Sequence, residues 1–388
     1  MLRIRRTSGP AHRTILRSIF LLSLAAGLAL TFRIPSVPSV GSEASFTPVF
    51  QKGMSYAAWS YEAYLSPEAD ESLGRMVEAN VEWVAICFWW FQDDIFSTRI
   101  YPRPDIYTAS NESVIHAIET AHSLGLKVML KPMVDTVGLS WRGLIPPSAA
   151  WFESYGDFIN SFAEIAEEKG VELFCVGCEF DLNDISASDW RAIVSGVRSR
   201  YSGPVTYAAG PASVAVIEWW DALDYIGIDA YYPLTNSTNP TTDELVESWG
   251  EVADVIEGWQ ARVGRPVIFT EVGYRSADGA NRLPWNWQGE LQVDLQEQAD
   301  CYEAAFSVLW NRSWFEGFYW WNWETDPEAG GEADDGYTPQ NKPAQEMLAD
   351  WYAMGWGERT FPVAEALPLA LLVVTSVIAG NKRRRARR

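Results

Sequence analysis

The feature that most constrains the fold of this chain is an eightfold alternation between short apolar runs and longer amphipathic stretches. The runs are apolar on both faces, which is typical of a parallel sheet covered by helices. The predicted strands lie at 53–58, 81–88, 127–134, 173–179, 205–209, 225–230, 267–271 and 315–323. The predicted helices lie at 67–79, 112–124, 150–169, 188–200, 213–222, 242–263, 288–310 and 342–354. This order predicts an α/β fold.

The number of repeated units favours one architecture within that class. Eight β/α units over about 300 residues fit a single (β/α)8 TIM barrel, which we place at 51–357. The alternative is an open doubly wound sheet. That fold requires no particular number of units, and the pattern G-x-G-x-x-G does not follow the first predicted strand.

Both ends of the chain have the composition of targeting segments. Residues 1–33 contain several arginines and then an apolar run, which indicates a signal peptide or signal anchor. Residues 34–50 are rich in proline and serine and are predicted to be a linker. Residues 358–388 contain an apolar run before a basic tail, which indicates a C-terminal membrane anchor with a cytoplasmic tail. We therefore expect the barrel to lie at the cell surface, attached to the membrane.

Charge and histidine content exclude several classes of function. The net charge of −21 argues against a nucleic-acid partner, because phosphate binding requires a basic surface. With only 3 histidines, neither a Ser-His-Asp site nor a histidine-rich metal site is expected. The 51 acidic residues and 20 tryptophans suit carboxylate catalysis beside flat apolar surfaces. A neutral polysaccharide or oligosaccharide is a suitable partner, no cofactor or metal is predicted, and the oligomeric state stays open.

The four cysteines are interpreted as buried free thiols. Cys175 and Cys178 form a C-x-x-C pattern, but these positions point to opposite faces of a strand. No second cysteine pair or histidine completes a zinc site. The acidic segment 324–341 also lacks the spacing of a calcium-binding loop, and we expect it to be a solvated lid.

Two glutamates end predicted strands at the edge where a TIM barrel binds its substrate. Active sites of this fold lie at the C-terminal ends of the strands, and the fourth and seventh predicted strands end at Glu179 and Glu271. Alternate residues of a strand share one face. We therefore expect two inward-facing sets, which are Leu173, Cys175, Gly177 and Glu179 on one strand and Val267, Phe269 and Glu271 on the other.

The expected distance between these two carboxyl groups indicates a reaction class. Strands four and seven face each other across a barrel roughly 15 Å wide, which leaves about 5 Å between the carboxyl groups. This distance matches retaining glycoside hydrolysis, with Glu271 as the ionised nucleophile and Glu179 as the acid/base. Burial and the neighbouring negative charge are expected to raise the pKa of Glu179.

Six further residues are candidates for substrate binding. Trp59 and Trp321 lie at the ends of strands one and eight and offer apolar planes for stacking on sugars. Tyr231 follows strand six, where it either bonds to Glu271 or packs in the core. The other candidates are Lys131, Asp135 and Trp141.

These last three residues belong to the third strand and its loop. The side chains of Lys131 and Asp135 are expected to point from the strand toward the mouth of the barrel, where they can bind sugar hydroxyl groups. The alternative is a salt bridge between the two residues. Trp141 lies in the following loop and is a candidate for the wall of a sugar subsite.

Six segments in sequence order resemble one enzyme family. They are KGMSYAAW at 52–59, KVMLKPMVD at 127–135, VELFCVGCEF at 171–180, YIGIDAYYP at 225–233, PVIFTEVGY at 266–274 and FYWWNW at 318–323. Through these segments the chain resembles glycoside hydrolase family 113, a family of TIM-barrel β-mannanases. The resemblance implies Glu179 as acid/base and Glu271 as nucleophile. One position departs from many related barrels, because Cys178 stands where an asparagine contacts the sugar 2-hydroxyl.

Together the residues and the resemblance predict a retaining glycoside hydrolase that acts on a β-linked neutral glycan. The first candidate substrate is β-1,4-mannan. Two alternatives stay open. One is a catalytically silent, carbohydrate-binding surface barrel, and the other is a hydrolase of a different β-glycan, which Cys178 permits.

Overall fold

Residues 50–356 are described by the computed structural model, and they contain a closed barrel of eight parallel strands in chain order. The predicted (β/α)8 TIM barrel is therefore confirmed, and an open sheet is excluded. The strands are β1 Gln51–Ala57, β2 Trp83–Gln92, β3 Lys127–Thr136, β4 Leu173–Cys178, β5 Val205–Ala209, β6 Ile226–Asp229, β7 Val267–Val272 and β8 Phe315–Trp323. The predicted signal segment, all of the predicted linker except Phe50, and the predicted C-terminal anchor lie outside the described residues.

Within residues 50–356, no helix combines the length and the apolar character needed to cross a membrane.

Seven α-helices follow the strands in the described part of the chain. They are α1 Pro67–Glu78, α2 Asn111–Ser123, α3 Ala149–Lys169, α4 Ala187–Arg198, α5 Thr242–Val263, α6 Leu295–Leu309 and α7 Pro343–Ala353. Three of them begin after a serine whose side chain accepts from the backbone N–H three residues on, namely Ser66, Ser110 and Ser148. The helix α5 begins with a capping box between Thr241 and Glu244.

The predicted helix at 213–222 is wrong. This segment forms turns and one short 3-10 helix, Trp220–Ala222. The indole of Trp219 is buried and donates to the backbone oxygen of Asp184 at 2.9 Å. Contacts of this kind with distant parts of the chain outweigh the local helical pattern.

The predicted helix at 288–310 begins later than expected, at Leu295. The side chain of Asp294 accepts from the backbone N–H groups of Gln296 and Glu297, which fixes the start of the helix. The residues before it belong to the long loop that follows β7.

The apolar core has two layers. An inner cluster, which includes Met129, Cys175 and Tyr319, fills the barrel. A larger outer cluster joins the strands to the helices and is rich in aromatic rings, such as Trp190 stacked on Trp219 with centroids 5.0 Å apart. Such close packing holds the strands in place, so the polar side chains at their C-terminal ends have defined positions.

The four cysteines are buried and form no disulfide, as the sequence predicted. Burial raises the pKa of each thiol, and that of Cys175 to about 11. These thiols are therefore protonated at neutral pH.

Candidate active site

The strand that ends before Glu179 does not alternate regularly. The pairing of β4 with β5 shifts register between Cys175 and Cys178. Cys178 consequently joins Cys175 in the inner cluster, whereas Gly177 faces the helices, where a side chain would meet Tyr207 and Trp190. The predicted inward-facing set on this strand is therefore wrong at Gly177.

The strand that carries Glu271 departs from the pattern in a similar way. Val267 and Phe269 belong to the outer cluster and Ile268 to the inner one, so the predicted inward-facing set on this strand is also wrong. The pairing of β6 with β7 shifts register just before Asp229. A shift of this kind turns the following side chain to the other face, which brings Glu271 inside the barrel.

A buried lysine connects β3 to the strands on the far side of the barrel. Lys131 is fully buried, and its ammonium group donates to Glu271 Oε1 at 2.6 Å and to Asp229 Oδ1 at 3.1 Å. Asp229 also accepts from Thr270 Oγ1 at 2.7 Å and from Cys178 Sγ at 3.3 Å. We call Lys131, Asp229 and Glu271 the lysine cluster. In this cluster one positive charge neutralises part of the charge of two buried carboxylates.

Glu271 accepts hydrogen bonds on both carboxylate oxygens. Besides Lys131 on Oε1, the hydroxyl of Tyr231 donates to Oε2 at 2.7 Å, so the hydrogen bond predicted for Tyr231 is present. Burial and the charge of Asp229 raise the pKa of Glu271, while Lys131 and Tyr231 act in the opposite direction. Both donors favour the ionised carboxylate, which is the form that a nucleophile requires.

Glu179 has different surroundings. Burial and the charges of Asp229 and Glu271 raise its pKa, and Arg142 and Lys131 oppose them. Among residues 50–356, no hydrogen bond to the Glu179 carboxyl group adds to these effects. The two glutamates therefore have unequal surroundings, because two donors oppose the effect of burial at Glu271 and, among residues 50–356, none does so at Glu179. The distance between the two carboxyl groups stays a prediction.

Lys131 and Asp135 do not form the salt bridge that the sequence allowed. Asp135 instead accepts from Arg142 Nε at 2.9 Å and from the hydroxyl of Tyr107 at 3.0 Å. The ammonium group of Lys131 binds within the lysine cluster, and its side chain has no exposed surface. This geometry favours an effect of Lys131 on the substrate through Glu271 rather than by direct contact. A contact of either residue with a sugar hydroxyl stays a prediction.

Trp59 and Trp321, the two residues predicted to stack on sugars, lie in an aromatic group with Trp89 at the mouth of the barrel. Trp59 stacks on Trp89 at 4.7 Å, and the ring of Trp321 stands at 86° to that of Trp59, 6.4 Å away. Trp59 and Trp141 keep 44% and 49% of their surface exposed, so each has an accessible ring face. Binding of a sugar by these three tryptophans stays a prediction.

In the part of the chain that the structure describes, two clusters have the composition of a metal site. Cys178, Asp229 and Glu271 offer ligand atoms within 4.8 Å of one another, but the ammonium group of Lys131 already binds both carboxylates. The second cluster consists of Asp278, Asp294 and Glu297. In it, the carboxylates of the last two residues accept hydrogen bonds from backbone N–H groups.

The acidic segment 324–341, expected to be a solvated lid, is held by ion pairs to residues outside it. Lys342 Nζ donates to Asp334 Oδ1 at 2.6 Å, and the guanidinium group of Arg275 pairs with Asp335. Arg275 belongs to the loop after β7, so this ion pair ties two neighbouring loops together. Most residues of the segment are nevertheless exposed or half-buried, and its action as a lid stays a prediction.

Sequence reasoning missed Asp229 and Arg142. Asp229 interrupts the apolar sixth strand, and a charged residue in a buried strand is a usable signal, because it requires a partner. Arg142 had no comparable signal. It follows Trp141 in a loop, and only the folded chain brings its Nη1 to 3.3 Å from Cys178 Sγ.

Comparison with known proteins identifies close similarities. The model of a family described as Glycoside Hydrolase Family 113 matches residues 54–342. A solved family 113 β-1,4-mannanase complex has 32% identity, covers 79% of this chain and 100% of its own, and has a TM-score of 0.72. The family 113 β-mannanase from Alicyclobacillus acidocaldarius, in complex with ManMIm, has 30% identity, covers 79% of this chain and 97% of its own, and has a TM-score of 0.72. No curated protein sequence matches the chain.

More distant structures share the fold alone. The β-glucuronidase from Bifidobacterium dentium, complexed with coumarin-3-O-glucuronide, has 15% identity and a TM-score of 0.55. It covers 79% of this chain and 46% of its own. At this identity the similarity concerns the barrel and carries no information on the substrate.

Replacing Lys131 with methionine leaves Asp229 and Glu271 buried side by side without a cation. We expect the free energy of unfolding at neutral pH to fall by about 3–5 kcal/mol, as in other buried ion pairs that lose one partner. The loss should shrink as the pH falls. Burial and the charge of Asp229 raise the pKa of Glu271, and without Lys131 that pKa lies further above its unfolded value, so protonation of Glu271 relieves the repulsion. Urea unfolding at several pH values measures both effects.

Lys52→Met is a matched control for this experiment. Lys52 pairs with Glu82, whose side chain is 52% exposed, so its loss should cost less than about 1 kcal/mol. Equal losses of stability in the two variants would contradict the special position of Lys131.

Proposed function

The chain belongs to glycoside hydrolase family 113 and is a glycoside hydrolase, and we propose that it cleaves β-1,4-mannan or manno-oligosaccharides with retention of configuration. The solved family 113 structures that it resembles are described as β-mannanases, which supports the choice of sugar. The observation that carries the mechanism is the unequal hydrogen bonding of the two glutamates. Glu271 accepts from Lys131 and Tyr231, and Glu179 has no such donor among residues 50–356.

In the first step of the proposed mechanism, Glu271 attacks the anomeric carbon and Glu179 donates its proton to the departing glycosidic oxygen. The bond from the anomeric carbon to that oxygen breaks, and a covalent glycosyl-enzyme forms on Glu271. In the second step Glu179 takes a proton from water, and the resulting hydroxide attacks the anomeric carbon. Glu271 leaves as a carboxylate, and the sugar keeps its original configuration.

Lys131 and Tyr231 prepare Glu271 for this role. Both donate to the carboxylate and favour its ionised form, although burial raises its pKa. When the sugar is attached, Glu271 no longer carries a negative charge. The pKa of Glu179, which that charge had raised, then falls, and Glu179 becomes a better base.

The aromatic residues at the mouth are proposed to hold the sugar chain. Trp59 and Trp141 have exposed rings, and Trp321 stands beside Trp59. Flat apolar rings suit the C–H faces of sugars. Asp135, together with Arg142, is proposed to bind hydroxyl groups at the same mouth.

Glu271→Ala is expected to abolish turnover while sugar binding is retained. Glu179→Ala is expected to lose activity on manno-oligosaccharides but still to form the glycosyl-enzyme from aryl glycosides with good leaving groups, which need no acid.

Product analysis by NMR on manno-, gluco-, xylo- and galacto-oligosaccharides tests the substrate and the first anomer released. Release of the β-anomer from manno-oligosaccharides supports the proposal.

Other outcomes of the same experiment decide between the alternatives. Cleavage of a different sugar would change the assigned substrate and leave the proposed mechanism in place. This outcome is tested because Cys178 stands where many related barrels have an asparagine. Binding without any cleavage would favour the silent barrel. An α-anomer released first would overturn the retaining mechanism.

Asp229→Asn is expected to shift the pH profile of kcat/KM to lower pH. The charge of Asp229 raises the pKa of both Glu271 and Glu179, so its removal lowers both values. Activity requires Glu271 ionised and Glu179 protonated, and both limbs of the profile therefore move in the same direction. Asp70→Asn, on helix α1, is the control and should move neither limb. A shift of either limb to higher pH in Asp229→Asn would contradict the assignment.

We also propose that the barrel is held at the outer face of the membrane through the terminal segments. The support is the arrangement of arginines and apolar runs at 1–33 and 358–388. Protease treatment of intact cells tests this proposal, since degradation of the barrel is expected only if it lies outside. Full protection in intact cells, followed by degradation after lysis, would overturn it.

A further inference from the structure

The segment that follows Glu179 is held by residues outside the catalytic cleft. We propose that Tyr207 and Asp184 form a clasp that positions Glu179 as the acid/base. The clasp consists of the backbone N–H of Phe180, the hydroxyl of Tyr207 and the carboxyl group of Asp184. This inference rests on the proposed role of Glu179 and adds two residues that act through it.

Glu179 directly follows the last residue of β4 and has a strained backbone conformation that its surroundings must stabilise. Its φ of 53° lies in the left-handed region, which residues other than glycine rarely adopt. The peptides on both sides of it are held by hydrogen bonds. Its own N–H donates to Ala208 O at 2.8 Å, and the N–H of Phe180 donates to the hydroxyl of Tyr207 at 2.9 Å. A strained conformation persists only where the surroundings fix it in this way.

The hydroxyl of Tyr207 is itself held in place. It donates to Asp184 Oδ1 at 2.5 Å, and the backbone N–H of Asp184 donates to Phe180 O at 3.0 Å. The three residues thus close a ring of hydrogen bonds around the turn after Glu179. Phe180 is 1% exposed and the other two are fully buried, so water has no access to replace a lost partner.

Tyr207 acts from the helix side of the barrel. Its ring belongs to the outer cluster and packs against Trp190 and Trp219, each with a centroid distance of 5.0 Å. Its hydroxyl is used by Phe180 and Asp184, so it makes no contact with the substrate. Tyr207 and Asp184 are therefore positioning residues, and their effect must appear in the chemistry that Glu179 performs.

Tyr207→Phe tests the clasp because it keeps the ring and removes only the hydroxyl. The Phe180 N–H then loses its acceptor, and Glu179 is no longer fixed in line with the glycosidic oxygen. On manno-oligosaccharides, whose leaving group needs a proton, kcat/KM should fall roughly tenfold to a hundredfold. On a dinitrophenyl β-manno-oligosaccharide, whose leaving group needs none, kcat/KM should stay within about twofold of the wild type.

A second readout follows the base function of Glu179. On the dinitrophenyl substrate the second step needs Glu179 to activate water, so kcat of Tyr207→Phe should fall. Azide is a nucleophile that requires no base, and it should restore kcat and yield the glycosyl azide. A general loss of folding does not produce this rescue.

Two further variants complete the test. Tyr201→Phe is the matched control, because this buried hydroxyl donates to Val171 O at 2.8 Å, before β4 begins. It should leave the ratio of kcat/KM values on the two substrates unchanged. Asp184→Asn keeps an acceptor oxygen for Tyr207 and should lose less activity than Tyr207→Phe, with the same dependence on the leaving group.

The outcomes separate this inference from the proposed function. Equal losses on both substrates in Tyr207→Phe, or no loss on either, would overturn the clasp when Glu179→Ala shows the expected dependence on the leaving group. Absence of that dependence in Glu179→Ala would overturn the acid/base assignment itself, and the clasp with it.

Discussion

One buried ammonium group determines how the mouth of this barrel is built. Lys131 extends from β3 to carboxylates on β6 and β7, which lie across the barrel. Two carboxylates so close together and so deeply buried cannot both be ionised without a compensating charge. The same ammonium group binds both carboxylates of the cluster that otherwise has the composition of a metal site. Burial, the neighbouring charges and hydrogen bonds from the chain itself together therefore influence the protonation of this site.

The different roles proposed for the two glutamates follow from unequal hydrogen bonding, because burial acts on both in the same direction. Burial is the largest cause that raises the pKa of Glu179 and of Glu271. Within residues 50–356, only Glu271 of these two receives donors, from Lys131 and Tyr231, which oppose the effect of burial. In the proposed mechanism the same arrangement serves both steps. Attachment of the sugar removes the negative charge of Glu271, which had raised the pKa of Glu179, and that pKa then falls.

The fold and the two strand-end glutamates were predictable because their signals are local. Apolar runs mark the strands, and Glu179 and Glu271 stand where two of those runs end. The partners of Lys131 were not predictable, because they lie 98 and 140 residues further along the chain. The segment around Trp219 was misread as a helix for the same reason, since its indole donates to a backbone oxygen 35 residues away. The local pattern of that segment gives no sign of this contact.

The alternation rule failed at the two strand ends where the site is built, and this failure has a physical cause. In a regular strand, consecutive side chains point to opposite faces, so only every second residue can reach the barrel interior. At the end of β7, both Thr270 and Glu271 contact Lys131 or Asp229 inside the barrel. At the end of β4, Cys178 points inward and Glu179 follows it with a left-handed backbone. A register shift before each pair allows two adjacent residues to serve one site. The departures from regular strand geometry are therefore what brings a polar cluster and two glutamates together in an otherwise apolar barrel.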